Sequence, residues 1–221
     1  MAVEIYGSNP FYNNAIKAYY RLEDNGNDVI GTNNLTVTGG SYGTGIFGKG
    51  YVANGTSSHA ESGNIAFGSM GAIAWWFKPG ADIGTGAEPA DYKYLCYPGT
   101  GFARFQKSGV GSAGLIIFAY SGGGVTGDAF KYLSGVDYLM VFDYSPTAGA
   151  NIWRNGVKVA SSAQNSGDNG STPLVLGSAG EGGTANAIFD DLAVFGTPLT
   201  SAQQLNLYSG TKPSNGFFNF F

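Results

Sequence analysis

Hydrolytic chemistry in this chain would have to come from its acidic side chains. There is a single histidine, His59, and a single cysteine, Cys96. One histidine cannot build a multi-histidine metal site. It also sits in the polar stretch Thr56-Ser57-Ser58-His59, a poor setting for a Ser–His–Asp relay. Cys96 excludes an intramolecular disulfide and has no Cys or His at zinc spacing, so it reads as a buried thiol. The glutamates are Glu4, Glu23, Glu61, Glu88 and Glu181. A retaining glycosidase needs two carboxyl groups about 5–5.5 Å apart, and a strand presents them on one face only at alternate positions. No Glu lies two or three residues from another acid within a strand-like run. Glu23-Asp24 and Asp190-Asp191 are adjacent, so in extended backbone their side chains diverge. No catalytic residue is therefore expected.

Aromatic side chains offer a different chemistry. In GAIAWWFKPG, residues 71–80, a strand from Ile73 to Lys78 closes at Pro79-Gly80. Alternation sends Trp75 and Trp76 to opposite faces. Ile73, Trp75 and Phe77 form a wholly apolar set that suits a core. Ala74, Trp76 and Lys78 form a mixed set that suits an outer surface. A flat indole packs against sugar C–H bonds while polar side chains read the hydroxyls. Trp76 is thus the candidate platform, with Lys78 beside it. Trp153 and Arg154 are further candidates, Trp153 either as a second exposed ring or as a core one, and Tyr120, Tyr138 and Tyr144 could add edges. The competing reading of Trp76 is burial under a loop or a neighbouring subunit, or a place in a protein interface, where Trp and Tyr are enriched.

Many short strands must position these residues. The 221 residues include 37 Gly and 8 Pro, and charged residues make up only 12%, about half the share usual in soluble domains. The glycines lack the Gly-X-Y period of collagen and fall between short apolar runs. Runs with strand character are Ala18–Leu22, Leu35–Thr38, Gly50–Ala53, Ile73–Lys78, Tyr92–Tyr97, Ala103–Lys107, Leu115–Tyr120, Tyr138–Tyr144, Ala150–Arg154, Val157–Ala160, Leu174–Leu176 and Ala187–Phe195. Their spacing predicts an all-β sandwich or barrel. Asn155-Gly156 between β-formers predicts a type I′ hairpin turn. One helix is expected over 199–210, with Thr200 as N-cap and Gly210 as stop. Residues 1–15 read as an irregular arm. Residues 211–221 carry Phe217, Phe218, Phe220 and Phe221, whose exposure would forgo roughly 1.5–3 kcal/mol of burial each.

Taken in order, these segments resemble a laminin-G-like jelly roll of the concanavalin A-like lectin/glucanase superfamily. The resemblance begins with AYYRLEDNGNDVIGTNNLTVTGG, where Glu23, Asp28 and Gly31 stand in an acidic strand end and a polar turn. It continues through Gly45-Ile46-Phe47-Gly48-Lys49-Gly50 and Asn54-Gly55-Thr56-Ser57-Ser58. AIAWWFKPG, YLMVFDYSPTAGANIWRNGVKVASS and the closing IFDDLAVFGTPLTSAQQLNLYSG complete it, over residues 16–209. His59 in place of an aromatic, Gly135-Val136-Asp137 in place of a tryptophan segment, and both terminal arms depart from the pattern. The resemblance implies a two-sheet antiparallel β-sandwich over 16–210, a concanavalin A-like jelly roll with one short C-terminal helix. It also implies a place for one structural Ca²⁺, held by Asp190 or Asp191 with Glu23. The alternative is that these acids cap turns and face solvent.

The net charge of −4 and the lack of a basic run leave no nucleic-acid footprint. MAVEIYGSNP lacks the basic start and apolar stretch of a signal peptide, and no apolar run reaches membrane-spanning length. Synthesis in the cytoplasm, with work in a virion or outside the cell, is the expected setting. Two functions fit: a non-catalytic lectin-like binding or adhesion domain, or a structural subunit of a virion such as a bacteriophage capsid decoration, fibre or tail part; the alternative is a free-standing carbohydrate-binding module of a secreted protein, ahead of a glycoside hydrolase. The partners would be a glycan or neighbouring protein subunits in a homo-oligomer or multi-protein assembly, with Phe217, Phe218, Phe220 and Phe221 as an assembly arm.

Overall fold

Runs of alternating apolar residues punctuated by glycine leave each backbone segment extended and in need of a neighbour for its hydrogen bonds. The computed structural model shows how those bonds are met; it describes residues 16–90, 92–98, 101–105, 108–121, 123–127, 129–164, 167–177 and 183–210. The expected arm over 1–15 and the tail phenylalanines Phe217, Phe218, Phe220 and Phe221 lie outside the described residues.

In chain order the described strands are β1 (Ile16–Tyr20), β2 (Thr36–Thr38), β3 (Ser41–Thr44), β4 (Lys49–Asn54), β5 (His59–Ala66), β6 (Gly71–Pro79), β7 (Ile83–Gly84), β8 (Lys93–Pro98) and β9 (Phe102–Phe105). There follow β10 (Ile116–Tyr120), β11 (Gly123–Thr126), β12 (Lys131–Tyr132), β13 (Tyr138–Ser145), β14 (Gly149–Arg154), β15 (Val157–Ser162), β16 (Ser171–Leu176), β17 (Gly183–Thr184) and β18 (Asn186–Phe195). Helix α1 (Ser201–Gly210) closes the described chain.

Two antiparallel sheets result. The first runs β15-β14-β13-β6-β18-β4-β3, with β1 also paired to β18. The second runs β11-β10-β9-β8-β16-β5-β2, and β17 joins β8 in parallel. A small ribbon pairs β7 with β12. Asn155 and Gly156 turn between β14 and β15 with φ of 54° and 77°, as a type I′ turn requires.

The main core lies between the sheets. Ile73, Trp75 and Phe77 enter it from β6, as alternation predicts, beside Met140 and Phe142 from β13 and Phe105 and Phe118 from the opposite sheet. Phe118 stacks on Phe142 at 4.8 Å, and Trp75 meets Phe142 edge-on at 5.0 Å. Such geometry adds about 0.5–1.5 kcal/mol per pair beyond area burial. Cys96 is buried, and burial pushes its thiol up, which fits an unreactive packing role.

A second apolar layer lies on the outer face of the first sheet. It comprises Tyr19, Ala72, Ala74, Trp76, Leu139, Val141, Trp153, Ala193 and Phe195, covered by Leu199, by Leu207 and Tyr208 of α1, and by Ile46 and Phe47. Thr200 caps α1 reciprocally: its Oγ1 accepts from the Gln203 amide at 3.3 Å, while Gln203 Oε1 accepts from the Thr200 amide at 2.9 Å. This is a capping box.

Candidate functional site

The helix layer changes the status of the tryptophans. Trp76 does face outward from the first sheet, but it is only 2% exposed. Phe47 meets its ring edge-on at 5.4 Å and Tyr208 stacks on it at 6.1 Å. A sugar platform needs an open ring face, so Trp76 does not serve as one. Its role is to fasten α1 and the 45–48 loop to the sheet. Trp153 is likewise 7% exposed, and its Nε1 donates to Asp143 Oδ2 at 2.6 Å. Asn151 Nδ2 donates to the other Asp143 oxygen at 2.5 Å, and Gln204 of α1 reaches Oδ2 at 3.4 Å. This buried polar knot holds the helix over the sheet, and burial pushes the Asp143 carboxyl up to about 6.

The other proposed ligand contacts are also committed. Lys78 pairs with Asp137 at 3.0 Å. The Arg154 guanidinium carbon lies over Phe130, 3.5 Å from the ring centroid, with Tyr132 further off at 5.8 Å. This cation–π stack seals the rim of the core. Trp76, Trp153, Lys78 and Arg154 therefore do not converge on one open surface.

Asp190 and Glu23 do converge, on the backbone of a single loop. Asp190 Oδ2 accepts from the amides of Ile46 and Phe47, both at 2.7 Å, and its Oδ1 accepts from the Asp191 amide at 2.9 Å. Glu23 Oε2 accepts from the Lys49 amide at 3.0 Å, and Asp24 pairs with the Lys49 ammonium at 2.5 Å. The strand explains the placement. β18 pairs with β4 up to Phe189 and with β1 from Leu192, and its register against β6 shifts between Asp190 and Ala193. Asp191 sits at φ 43° in this bulge. Phe189 and Leu192 both face the main core while Ala193 faces outward, so the bulge reverses the alternation. Asp190 and Asp191 consequently share the outer side instead of diverging. Tyr19 Oη donates to Asp191 Oδ1 at 2.6 Å. Burial, with the Asp191 carboxylate adding to it, pushes Asp190 up to about 7 against the pull of the loop amides.

This donor set does not fit Ca²⁺. A hard cation needs several oxygens with free lone pairs, but both lone pairs of Asp190 Oδ2 face N–H hydrogens. No cluster of three or more His, Cys, Asp or Glu with metal-binding geometry occurs among the described residues. The acids do cap a turn, as the alternative reading held, but Asp190 is fully buried rather than solvent-facing.

The open site lies at one end of the sandwich. A cavity of about 360 Å³ is lined by Phe77, Ala81, Asp82, Ile83, Ala87, Glu88, Pro89, Lys93, Ala185 and Asn186. That lies at the small end of the roughly 300–1,000 Å³ range of ligand pockets. The end of β6 and the start of β18 supply the floor, β8 one wall, and the loop around β7 the other. The β7–β12 ribbon pins that loop so closely that a side chain at Gly84, whose φ is 119°, would strike the Phe130 carbonyl. Asp82 is held by Lys131 at 2.8 Å and by the Ser134 amide at 2.9 Å. Glu88 Oε1 accepts from the Gly86 amide at 2.8 Å. The Lys131 bond, then the Ser134 bond, holds Asp82 below the usual carboxylate range, and the Gly86 bond does the same for Glu88.

Comparison with known proteins places the fold but not a family. No protein-family model matches the chain, and no curated protein matches it. Solved structures do. Domain 4 of AbnA, an extracellular GH43 arabinanase from Geobacillus stearothermophilus solved with arabinotriose, matches with a TM-score of 0.66 at 18% identity, over 87% of this chain and 97% of that domain. The binding domain of Paraclostridial Mosquitocidal Protein 1 matches at 0.68 and 16% identity, over 89% of this chain and 52% of the other. The botulinum neurotoxin DC binding domain, solved with SialylT, matches at 0.62 and 11% identity over 90% and 52%. The chain thus spans about half of the toxin binding domains and nearly all of the arabinanase domain. At these identities the likeness establishes the fold alone, a two-sheet β-sandwich.

Proposed function

We propose that the chain is a non-catalytic, lectin-like saccharide-binding module whose ligand enters the end cavity. The cavity carries this reading. Its apolar floor of Phe77, Ile83 and Ala185 can take the C–H face of a sugar, and Asp82, Glu88, Lys93 and Asn186 can meet hydroxyls. The likeness to an arabinanase domain solved with arabinotriose supports it.

The distribution of acids supports the absence of catalysis. A glycosidase needs one carboxyl with a raised pKa to protonate the leaving group. The raised carboxyls, Asp143 and Asp190, are sealed beneath α1 and the 45–48 loop. The cavity carboxyls, Asp82 and Glu88, are lowered instead. A surface built from Ser, Thr, Asn and Gly with 12% charged residues suits an extracellular or virion setting, and the laminin-G-like motif order supports placement in that branch of the fold.

The test is calorimetric titration with arabino-, xylo- and sialyl-oligosaccharides, with chromatography of the same mixtures. Binding that Ala87→Trp abolishes by filling the cavity, with no sugar released, is expected. Binding unaffected by that substitution, or release of reducing sugar, would overturn the reading.

A further inference from the structure

The cavity's charges specify its ligand more closely. Asp82 is neutralised by Lys131 and takes the Ser134 amide, and Glu88 takes the Gly86 amide. Both residues line the cavity, and an ionised carboxylate there can only accept hydrogen bonds. Lys93 is different. It is half-buried at the start of β8, and it forms no ion pair with a described residue. Its ammonium lies against Gly183 of β17, so close that a Cβ there would collide with Nζ. The parallel pairing of Gly183 with Lys93 fixes this contact. Among the described residues no carboxylate pairs with this ammonium. A ligand anion would complete it, and charge-assisted bonds are the stronger class.

Building on the saccharide reading, we infer that the cavity selects an acidic sugar, one carrying a single carboxylate for Lys93 and hydroxyl donors for Asp82 and Glu88. A neutral sugar would leave the ammonium unmatched. A phosphorylated sugar, whose monoester carries about −1.5 to −2 charges, would meet more repulsion from the two carboxylates that share the cavity. The cavity's volume of about 360 Å³ suits recognition of one such unit at a chain end or branch rather than a long run.

The experiment compares matched pairs by calorimetry: tri-galacturonate against its carboxyl-reduced neutral counterpart, and sialyllactose against lactose. Each is titrated into wild type, Lys93→Met, which keeps the apolar stem, and Lys93→Arg, which keeps the charge. Wild type is expected to favour at least one acidic member by about tenfold or more, the scale of a charge-assisted bond. Lys93→Met should erase that preference by weakening the acidic member more than the neutral one, Lys93→Arg should retain most of it, and the preference should shrink with added salt. Equal binding of acidic and neutral members would overturn the inference and leave the saccharide reading standing. No binding of any member would overturn both. Matching thermal unfolding of the three proteins excludes misfolding as the cause.

Discussion

Replacing Trp76 separates a structural role from a binding role. Trp76 is 2% exposed and packed between Phe47 and Tyr208. Its Nε1 has no acceptor among the described residues, so Trp76→Phe removes no hydrogen bond and Trp76→Ala removes packing alone. Truncating a buried aromatic to alanine costs about 3–5 kcal/mol. For a chain of this size each kcal/mol lowers Tm by about 2–4 °C, so Trp76→Ala should lose about 6–20 °C. Trp76→Phe fills more of the space and should lose less than half as much. Urea unfolding followed by circular dichroism reads both. The variant should also loosen α1, seen as faster amide exchange over 201–210. Saccharide affinity in the end cavity should stay within about twofold under conditions where the protein remains folded. A stability loss below about 1 kcal/mol, paired with lost ligand binding, would refute the reasoning and restore Trp76 as a platform.

Three other outcomes follow from the same geometry. Asp190→Ala strands the Ile46 and Phe47 amides and should cost about 2–4 kcal/mol, at about 1–3 kcal/mol per buried group left unpaired, less the relief of the buried carboxyl; a urea midpoint unchanged from wild type would contradict the clamp. Burial lifts Asp143 to about 6 and Asp190 to about 7 in the folded chain, above their unfolded values of about 3.9. The folded state then binds more protons than the unfolded one from about pH 4 to 7, so the contribution of these two groups falls as pH rises through that window. Wild type should lose more stability between pH 5 and 8 than Asp143→Asn or Asp190→Asn, and an identical pH slope in all three would count against it. Light scattering of the full chain and of one lacking 211–221 tests the assembly arm: an oligomer lost with Phe217, Phe218, Phe220 and Phe221 supports a subunit role, and equal masses exclude it.

Most of the sandwich was legible because alternation and turn chemistry act locally. Each of the twelve predicted strand runs appears, with ends shifted by a few residues, as do the Asn155-Gly156 turn and the capped helix. β5 (His59–Ala66) was missed because Ser, Gly and Asn occupy much of it, and its partners β2 and β16 supply the order. The covered outer face was legible in principle. β13, YLMVFDYS, is apolar on both faces, and Ala72 and Ala74 of the adjacent β6 lie beside it on its outward side, a pattern that marks a strand buried on two sides. Reading Ala74 and Lys78 as a surface gave weight to the single lysine over its apolar neighbours. The Asp190 bulge left no mark beyond two adjacent acids, since a positive φ at Asp191 depends on where β4 ends and β1 begins. The cavity was illegible for a related reason: its walls come from 77–93 and 185–186 and meet only through long-range pairing.

The central claim is that ligand binds at the open end of the sandwich and not on a sheet face. Amide chemical-shift mapping with the tightest oligosaccharide of the calorimetric panel tests it most directly. Saturable shifts are expected at Ala81, Ile83, Ala87, Lys93 and Asn186, with Trp76, Trp153 and α1 unmoved. Shifts confined to the outer face of the second sheet, at Thr36, Glu61, Val175 and Ile117, would contradict the account.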